Sequence, residues 1–175
     1  MNSFKIELGN ITEAAEVFQV YVRAKEVLDQ LGVFQWTDDY PTESIILKDL
    51  QNKVLYLLKK EGVICGAINL SSEQDEPYKT VQWRYNIGPF LIIHRLVIDP
   101  KVQGQGGAQC LMNFAENYGA MHGFNAIRLD VYSKNKRGIK FYQKQNYTQA
   151  GRIYFPGRTA HFYCMEKKIV PSSNE

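Results

Sequence analysis

The succession strand, two helices, three strands, helix, strand, helix, two strands predicts a mixed α/β domain, about six to seven strands flanked by about four helices. Two observations anchor that expectation. Phe90 to Ile98 is apolar at nearly every position, so it reads as a strand buried on both faces and therefore central. Directly after it, Asp99-Pro100 ends the strand, because proline has no N–H for a ladder, and a glycine-rich turn leads into a helix. In that helix Gly107, Leu111, Phe114, Ala115 and Tyr118 share one stripe.

The other elements follow in order. Phe4 to Leu8 alternates and reads as a first strand. Asn10 with Glu13 three residues later is a variant capping box, and Val17, Val20, Tyr21, Ala24, Leu28 and Leu31 mark a long amphipathic helix that Gly32 ends. An aromatic, acidic loop from Phe34 to Pro41 precedes a short helix from Thr42 to Leu50. Two strands, Val54 to Lys60 and Val63 to Ser71, meet at the hairpin signal Glu61-Gly62. Ser72 to Tyr78 reads as a polar loop, and Asn86 to Pro89 as a second break. Ala126 to Tyr132 is a strand and Asn135 to Gln145 a helix; Thr148 to Phe155 and Ala160 to Lys168 close the chain as a hairpin around Pro156-Gly157.

Composition bounds the class. At 175 residues with 45% hydrophobic content, the chain suits one domain, 1–175, with a real core. No basic segment leads into an apolar one at the start, and no apolar run approaches the length of a membrane span. Cys65, Cys110 and Cys164 are odd in number and widely spaced, with no Cys-x-x-Cys or histidine cluster. Free thiols in a reducing cytoplasm are expected, with no metal site and a packing role for Cys164.

The turn Gln103-Gly104-Gln105-Gly106-Gly107-Ala108 is the main candidate for chemistry. At a helix N-terminus, unpaired N–H groups and the positive end of the dipole favour an anion, and glycines admit a ligand to the main chain. Two nucleotide motifs fail here. Gly106-Gly107-Ala108 lacks the Lys-Ser/Thr of a P-loop, and although Asp130 sits at a dinucleotide-fold distance, the Gly-x-Gly-x-x-Gly pattern is absent.

What the turn resembles, with its Val97-Ile98-Asp99-Pro100 lead-in, is the coenzyme-A motif Arg/Gln-x-x-Gly-x-Gly/Ala of the GNAT N-acetyltransferase superfamily. A second element, Asn135 to Tyr147, resembles that family's Asn-x-x-Ala-x-x-x-Tyr-x-x-x-Gly-Phe, with Gly138 in place of alanine and Asn146 in place of glycine. The resemblance implies the GNAT fold, a twisted mixed sheet with helices on both faces, and acetyl-CoA as co-substrate. It implies that Gln103, Gly104, Gln105, Gly106, Gly107 and Ala108 hold the pyrophosphate and that Leu96, Val97 and Ile98 hold the pantetheine arm. Asn135 and Arg137 are implied coenzyme contacts, Asn135 also capping its helix.

Acyl transfer from a thioester to an amine needs a donor for the carbonyl oxygen, a neutral amine and a proton for the departing thiolate. Tyr142 matches the family's general acid; a phenol titrating near 10 stays protonated at neutral pH. Packing on its helix face is the plainer use of the same residue. For the base, His94 is the titratable group of the central strand with a pKa near neutral, though a strand histidine more often serves the core. Glu73, Asp75 and Glu76 read as solvated surface; Asp38 and Asp39 are candidate ammonium binders, and Trp36, Tyr40 and Trp83 candidate liners of an acceptor pocket.

Charge is uneven. Residues 1 to 50 carry four Lys/Arg against nine Asp/Glu, residues 133 to 168 nine against Glu166 alone. The plain reading is two solvated faces; the functional one is a basic half for coenzyme phosphates and an acidic half for a cationic amine. No sharp basic stripe with interleaved aromatics marks a nucleic-acid binder. The expected protein is a cytoplasmic N-acetyltransferase that moves acetyl from acetyl-CoA to a primary amine of a small molecule or peptide by direct attack in a ternary complex. A non-catalytic acyl-CoA-binding regulatory module is the alternative. Family members are often dimers, so a homodimer is carried as an expectation, with no seam visible in the sequence.

Overall fold

The computed structural model describes residues 3–170. Its elements are β1 Phe4–Leu8, α1 Ala14–Gln30, α2 Glu43–Gln51, β2 Leu55–Lys60, β3 Val63–Ser71, β4 Phe90–Ile98, α3 Gly107–Met121, β5 Ala126–Tyr132, α4 Lys136–Lys144, β6 Thr148–Ile153 and β7 Phe162–Lys168. The order is the one the sequence predicts. The strands form one seven-stranded sheet, β1-β2-β3-β4-β5-β7-β6, so β4 is central. β4 and β5 pair in parallel, while β1–β2, β2–β3, β5–β7 and β6–β7 are antiparallel. The described residues divide into two compact units, 3–70 with 94–115 and 71–93 with 116–170.

In the first unit the local signals act as read. Asn10 Oδ1 accepts from Thr12 N at 3.0 Å while Asn10 N donates to Glu13 at 2.9 Å, closing the capping box ahead of α1. Gly32 ends α1 with φ +72, and Val33 N returns to Leu28 O at 2.9 Å. Glu61 and Gly62 both have positive φ, the backbone a two-residue hairpin demands. Val17, Val20 and Tyr21 of α1 and Ile46 and Leu50 of α2 close over Leu55, Leu57, Ile64, Ala67 and Val97 of the sheet. Each buried Val, Leu or Ile among them stabilises by about 1.5–3 kcal/mol through the apolar area it hides.

On the edge strand, Glu7 lies 2.8 Å from Lys5 and 2.6 Å from Lys59, which also reaches Glu13 at 2.6 Å. Hydrogen bonds from Lys5, then Lys59, lower the Glu7 pKa from 4.5 to about 2. A depressed folded pKa makes this contribution present above about 4.5 and lost as pH falls toward 2. Urea midpoints of the wild type and Glu7→Gln are therefore expected to differ at pH 6 and to converge by about pH 2, with the difference shrinking in high salt. A gap that persists unchanged at pH 2 sinks this assignment.

In the second unit β5 pairs along its whole length with β7, from Ala126↔Lys168 to Tyr132↔Phe162. Gly119 of α3 provides room: a Cβ there would stand 2.6 Å from Ile169 Cδ1 and 3.3 Å from Leu91 Cδ2. The segment after β3 differs from the polar loop expected. Glu76–Thr80 winds into a 3₁₀ turn opened by Pro77, and Tyr78 is buried, its hydroxyl donating to Asp130 Oδ2 at 2.7 Å. Arg128 is stacked 3.5 Å from the centre of the Phe90 ring and 4.3 Å from that of Trp83, and donates to Gln74 and to Tyr85 O, each at 2.7 Å. Buried Glu166 accepts from the main-chain N–H groups of Arg84 and Tyr85, at 2.8 and 3.2 Å. Partners so distant in sequence leave no periodic signature, which is why the segment reads as loop.

Candidate active site

β4 runs into the glycine turn through an anchored corner. Asp99 N donates to Cys65 O at 2.8 Å, and its buried carboxylate accepts from Lys101 N at 3.0 Å and from Arg23 at 2.6 and 3.0 Å. Burial pushes the Asp99 pKa up, but the Arg23 and Lys101 hydrogen bonds outweigh it and hold the carboxyl below its ordinary value. The Pro100–Val102 turn then delivers the chain to Gln103.

Three glycines serve two different ends here. Gly104 and Gly106 have φ +78 and +86, and nothing lies within 4 Å of a Cβ built on either, so they supply the dihedrals and leave open space. Gly107 is needed for packing, since its Cβ would stand 2.9 Å from Leu58 Cδ2. The α3 ladder opens with Cys110 N to Gly106 O at 3.0 Å, so Gly107 and Ala108 present their N–H groups in the first turn, where the helix dipole favours an anion. Lys60 of β2 donates to Gln105 Oε1 at 2.7 Å and brings a cation to the turn. Sequence reading missed Lys60, and 45 residues of separation explain why.

His94, Leu96 and Ile98 are half-buried and Val97 is buried. The expectation that β4 is hidden on both faces holds for Leu91, Ile92 and Ile93; beyond them only Val97 is buried, and His94, Arg95, Leu96 and Ile98 are half-buried. Arg95 takes φ +51 inside the strand, and the ladder to β5 runs only from Phe90↔Ala126 to Ile93↔Leu129 although β4 continues to Ile98. His94, Leu96, Val97, Ile98 and Gln103–Ala108 all fall in the first unit.

Asn135, Arg137 and Tyr142 fall in the second. Asn135 caps α4, its Oδ1 accepting from Gly138 N at 2.9 Å. That cap accounts for Gly138: a Cβ there would stand 2.9 Å from Asn135 Nδ2 and 3.0 Å from its Cγ. Asn146, where the family has glycine, takes φ +65, the left-handed conformation asparagine tolerates. Arg137 is exposed. Tyr142 is half-buried, its ring 5.3 Å from Phe141 and 6.1 Å from Tyr147, both edge-on. Burial, then the charge of Asp130, pushes its phenol above the ordinary value. Tyr147, almost wholly buried, is tied to Glu116, which Lys167 grips with two contacts of 2.8 Å.

Other sequence candidates have structural employment. Trp36 is in the core, 5.4 Å from Tyr21, and Trp83 donates to Tyr78 O at 3.0 Å. Asp38 pairs with Lys25 at 2.9 Å and Glu76 with Lys79 at 2.8 Å, while Asp39 is exposed. Glu7, Glu13, Asp29, Asp38 and Asp49 all pair with Lys or Arg within the first unit, so much of the acidic half is spent internally. Cys164 is fully buried and its thiol pushed up by burial, which suits packing.

The model of the Acetyltransferase (GNAT) family matches residues 15–147 of this sequence. The chain belongs to that family. Among solved structures it is similar to a GNAT-family acetyltransferase of Streptococcus agalactiae, with 21% identity, a TM-score of 0.82, and 94% of this chain and 95% of that one covered. It is similar also to the PaiA N-acetyltransferase of Thermoplasma acidophilum in complex with coenzyme A, with 17% identity, a TM-score of 0.68, and coverage of 95% and 99%. YncA of Salmonella typhimurium, solved with its cofactor acetyl-CoA, matches with 15% identity, a TM-score of 0.70, and coverage of 98% and 99%. At these identities the likeness is one of fold. No curated protein matches the chain. No described helix of this acetyltransferase is long and apolar enough to cross a membrane.

Proposed function

We propose that this GNAT acetyltransferase moves acetyl from acetyl-CoA to a primary amine of a small molecule or peptide, by direct attack in a ternary complex. The observation that carries the reading is the turn: Gly104 and Gly106 hold positive φ with open space above them, ahead of the N–H groups that open α3. The N–H groups and dipole of a helix N-terminus favour an anion, and the open space at both glycines lets a ligand approach the main chain. Gln103–Ala108 take the pyrophosphate, and Lys60, held by Gln105, adds charge. The main chain of Leu96, Val97 and Ile98 takes the pantetheine arm along the stretch of β4 beyond its ladder with β5. Asn135 and Arg137 contact the coenzyme as well.

In the reaction the amine lone pair attacks the acetyl carbonyl carbon, a main-chain N–H of β4 stabilises the oxyanion, and the carbon–sulfur bond breaks. Tyr142 gives its proton to the departing thiolate, and His94 receives the proton of the attacking amine. Support for Tyr142 is its raised phenol, which stays protonated through the working pH range. The reading calls on no metal. It takes 1–175 as a single functional domain, supported by a family match that draws on both units. Three free cysteines suit a reducing compartment such as the cytoplasm.

Acetyl-CoA is expected to raise the melting temperature and to give saturable calorimetric binding. A panel of polyamines, aminoglycosides, amino acids and N-terminal peptides is expected to release free thiol with at least one member. No binding refutes the coenzyme assignment; binding without thiol release from any amine favours the regulatory module.

A further inference from the structure

Arg95 is a bulky residue with φ +51 in the interior of a strand, a conformation strained outside glycine that survives only where the surroundings enforce it. Three contacts, all within the first unit, enforce it here. The guanidinium forks onto Asp49 of α2, Nε to Oδ2 and Nη2 to Oδ1, each at 2.8 Å. Nη1 donates to the Tyr40 hydroxyl at 2.8 Å. On the main chain, the Tyr21 hydroxyl of α1 donates to Arg95 O at 2.7 Å. The fork is nearly dry, with side-chain exposures of 13% for Arg95 and 9% for Asp49, and Tyr21 is fully buried.

Strand stability does not explain this construction. A glycine would take the same φ without cost, and apolar residues of similar volume in place of a buried ion pair are often neutral or stabilising. What the clamp does fix is direction. The ladder to β5 ends at Ile93, the backbone turns at Arg95, and Leu96, Val97 and Ile98 follow that turn.

We propose that Arg95 and Asp49 are positioning residues for acyl transfer: their fork, with Tyr21 on the carbonyl, holds the left-handed kink that aims the main-chain N–H groups of Leu96 to Ile98. This rests on the reading that those groups receive the acetyl thioester. Tyr40 ties the aromatic, acidic segment before α2 to the same clamp, so a ligand that moves Tyr40 acts on β4 through Arg95.

The test compares wild type with Asp49→Asn, which keeps shape and loses the charged fork, and with Arg95→Gly, which holds the φ without strain but has no clamp and leaves the buried Asp49 without its fork, so each variant is first checked for a cooperative melt. Measured are kcat and KM for acetyl-CoA with an amine from the panel, and the infrared carbonyl band of bound acetyl-CoA labelled with carbon-13. In both variants kcat is expected to fall about tenfold or more with KM within about threefold, and the carbonyl band to move back toward its position in free acetyl-CoA. A folded variant with wild-type kcat and an unmoved band overturns the inference, as does a loss confined to KM and melting temperature. If wild type binds no acetyl-CoA, the underlying reading fails and this inference with it; if wild type turns over and only the variants behave as wild type, the clamp alone is refuted.

Discussion

Replacing Tyr142 by phenylalanine is expected to lower kcat about a hundredfold while leaving coenzyme A affinity within about twofold, because a positioned general acid contributes about 10²–10⁴ to rate. Phenylalanine keeps the ring against Phe141 and Tyr147 and leaves the Tyr147 N to residue 142 carbonyl hydrogen bond of 3.1 Å untouched. Only the hydroxyl is lost. Burial and the nearby Asp130 raise the phenol above its ordinary 10, so its ionisation lies above 10 and adds no basic limb to kcat below about pH 9. A raised phenol is also a weaker acid than the thiol it protonates, whose reference pKa is about 8.5. With Tyr142 delivering its proton as the carbon–sulfur bond breaks, kcat of the wild type should show a solvent isotope effect that the phenylalanine variant loses. A folded Tyr142→Phe enzyme with kcat within about threefold of wild type removes Tyr142 from the chemistry and returns it to packing.

The parts of this protein legible in its sequence are those whose cause is local. The capping box at Asn10, the Glu61-Gly62 turn, the stripe of α3 and the cap at Asn135 each reside within a few residues, and the structure places all of them as read. Asn146 in the left-handed region belongs to the same class. Gly138 was legible as a departure but not in its cause, because the collision it avoids is with the side chain of its own cap. The Arg95 kink was not legible at all. A strand that reads Phe-Leu-Ile-Ile-His-Arg-Leu-Val-Ile has no glycine or proline to announce a break, and the break exists because Asp49, Tyr40 and Tyr21, 46 to 74 residues away, agree on one guanidinium and one carbonyl. Charge patterning misled for the same reason: an acidic run says nothing about the lysines and arginines that fold back onto it.

Gly66→Ala is expected to destabilise the protein by about 1–3 kcal/mol, since forcing an extra methyl into a packed site displaces backbone. In a chain of this length that lowers the melting temperature by roughly 2–12 °C. A Cβ on Gly66 of β3 would stand 2.8 Å from Val97 O, 3.0 Å from Ile98 Cδ1 and 3.3 Å from Leu58 Cβ. The first of these is a carbonyl oxygen fixed by the sheet, with no rotamer to escape into. β3 and β4 must therefore part, and the residues that move, Val97 and Ile98, are ones assigned to the pantetheine arm. Calorimetry should accordingly show weaker acetyl-CoA binding together with the lower melting temperature. Gly104→Ala separates the two ways a glycine is needed: nothing lies within 4 Å of its Cβ, so its strain comes from φ +78 alone and costs about 1 kcal/mol, with no strand displaced. Only Gly66→Ala acts by moving β4, so adding Arg95→Gly should lower kcat additively in the Gly104→Ala background and less than additively in the Gly66→Ala background, because the latter pair acts on the same strand.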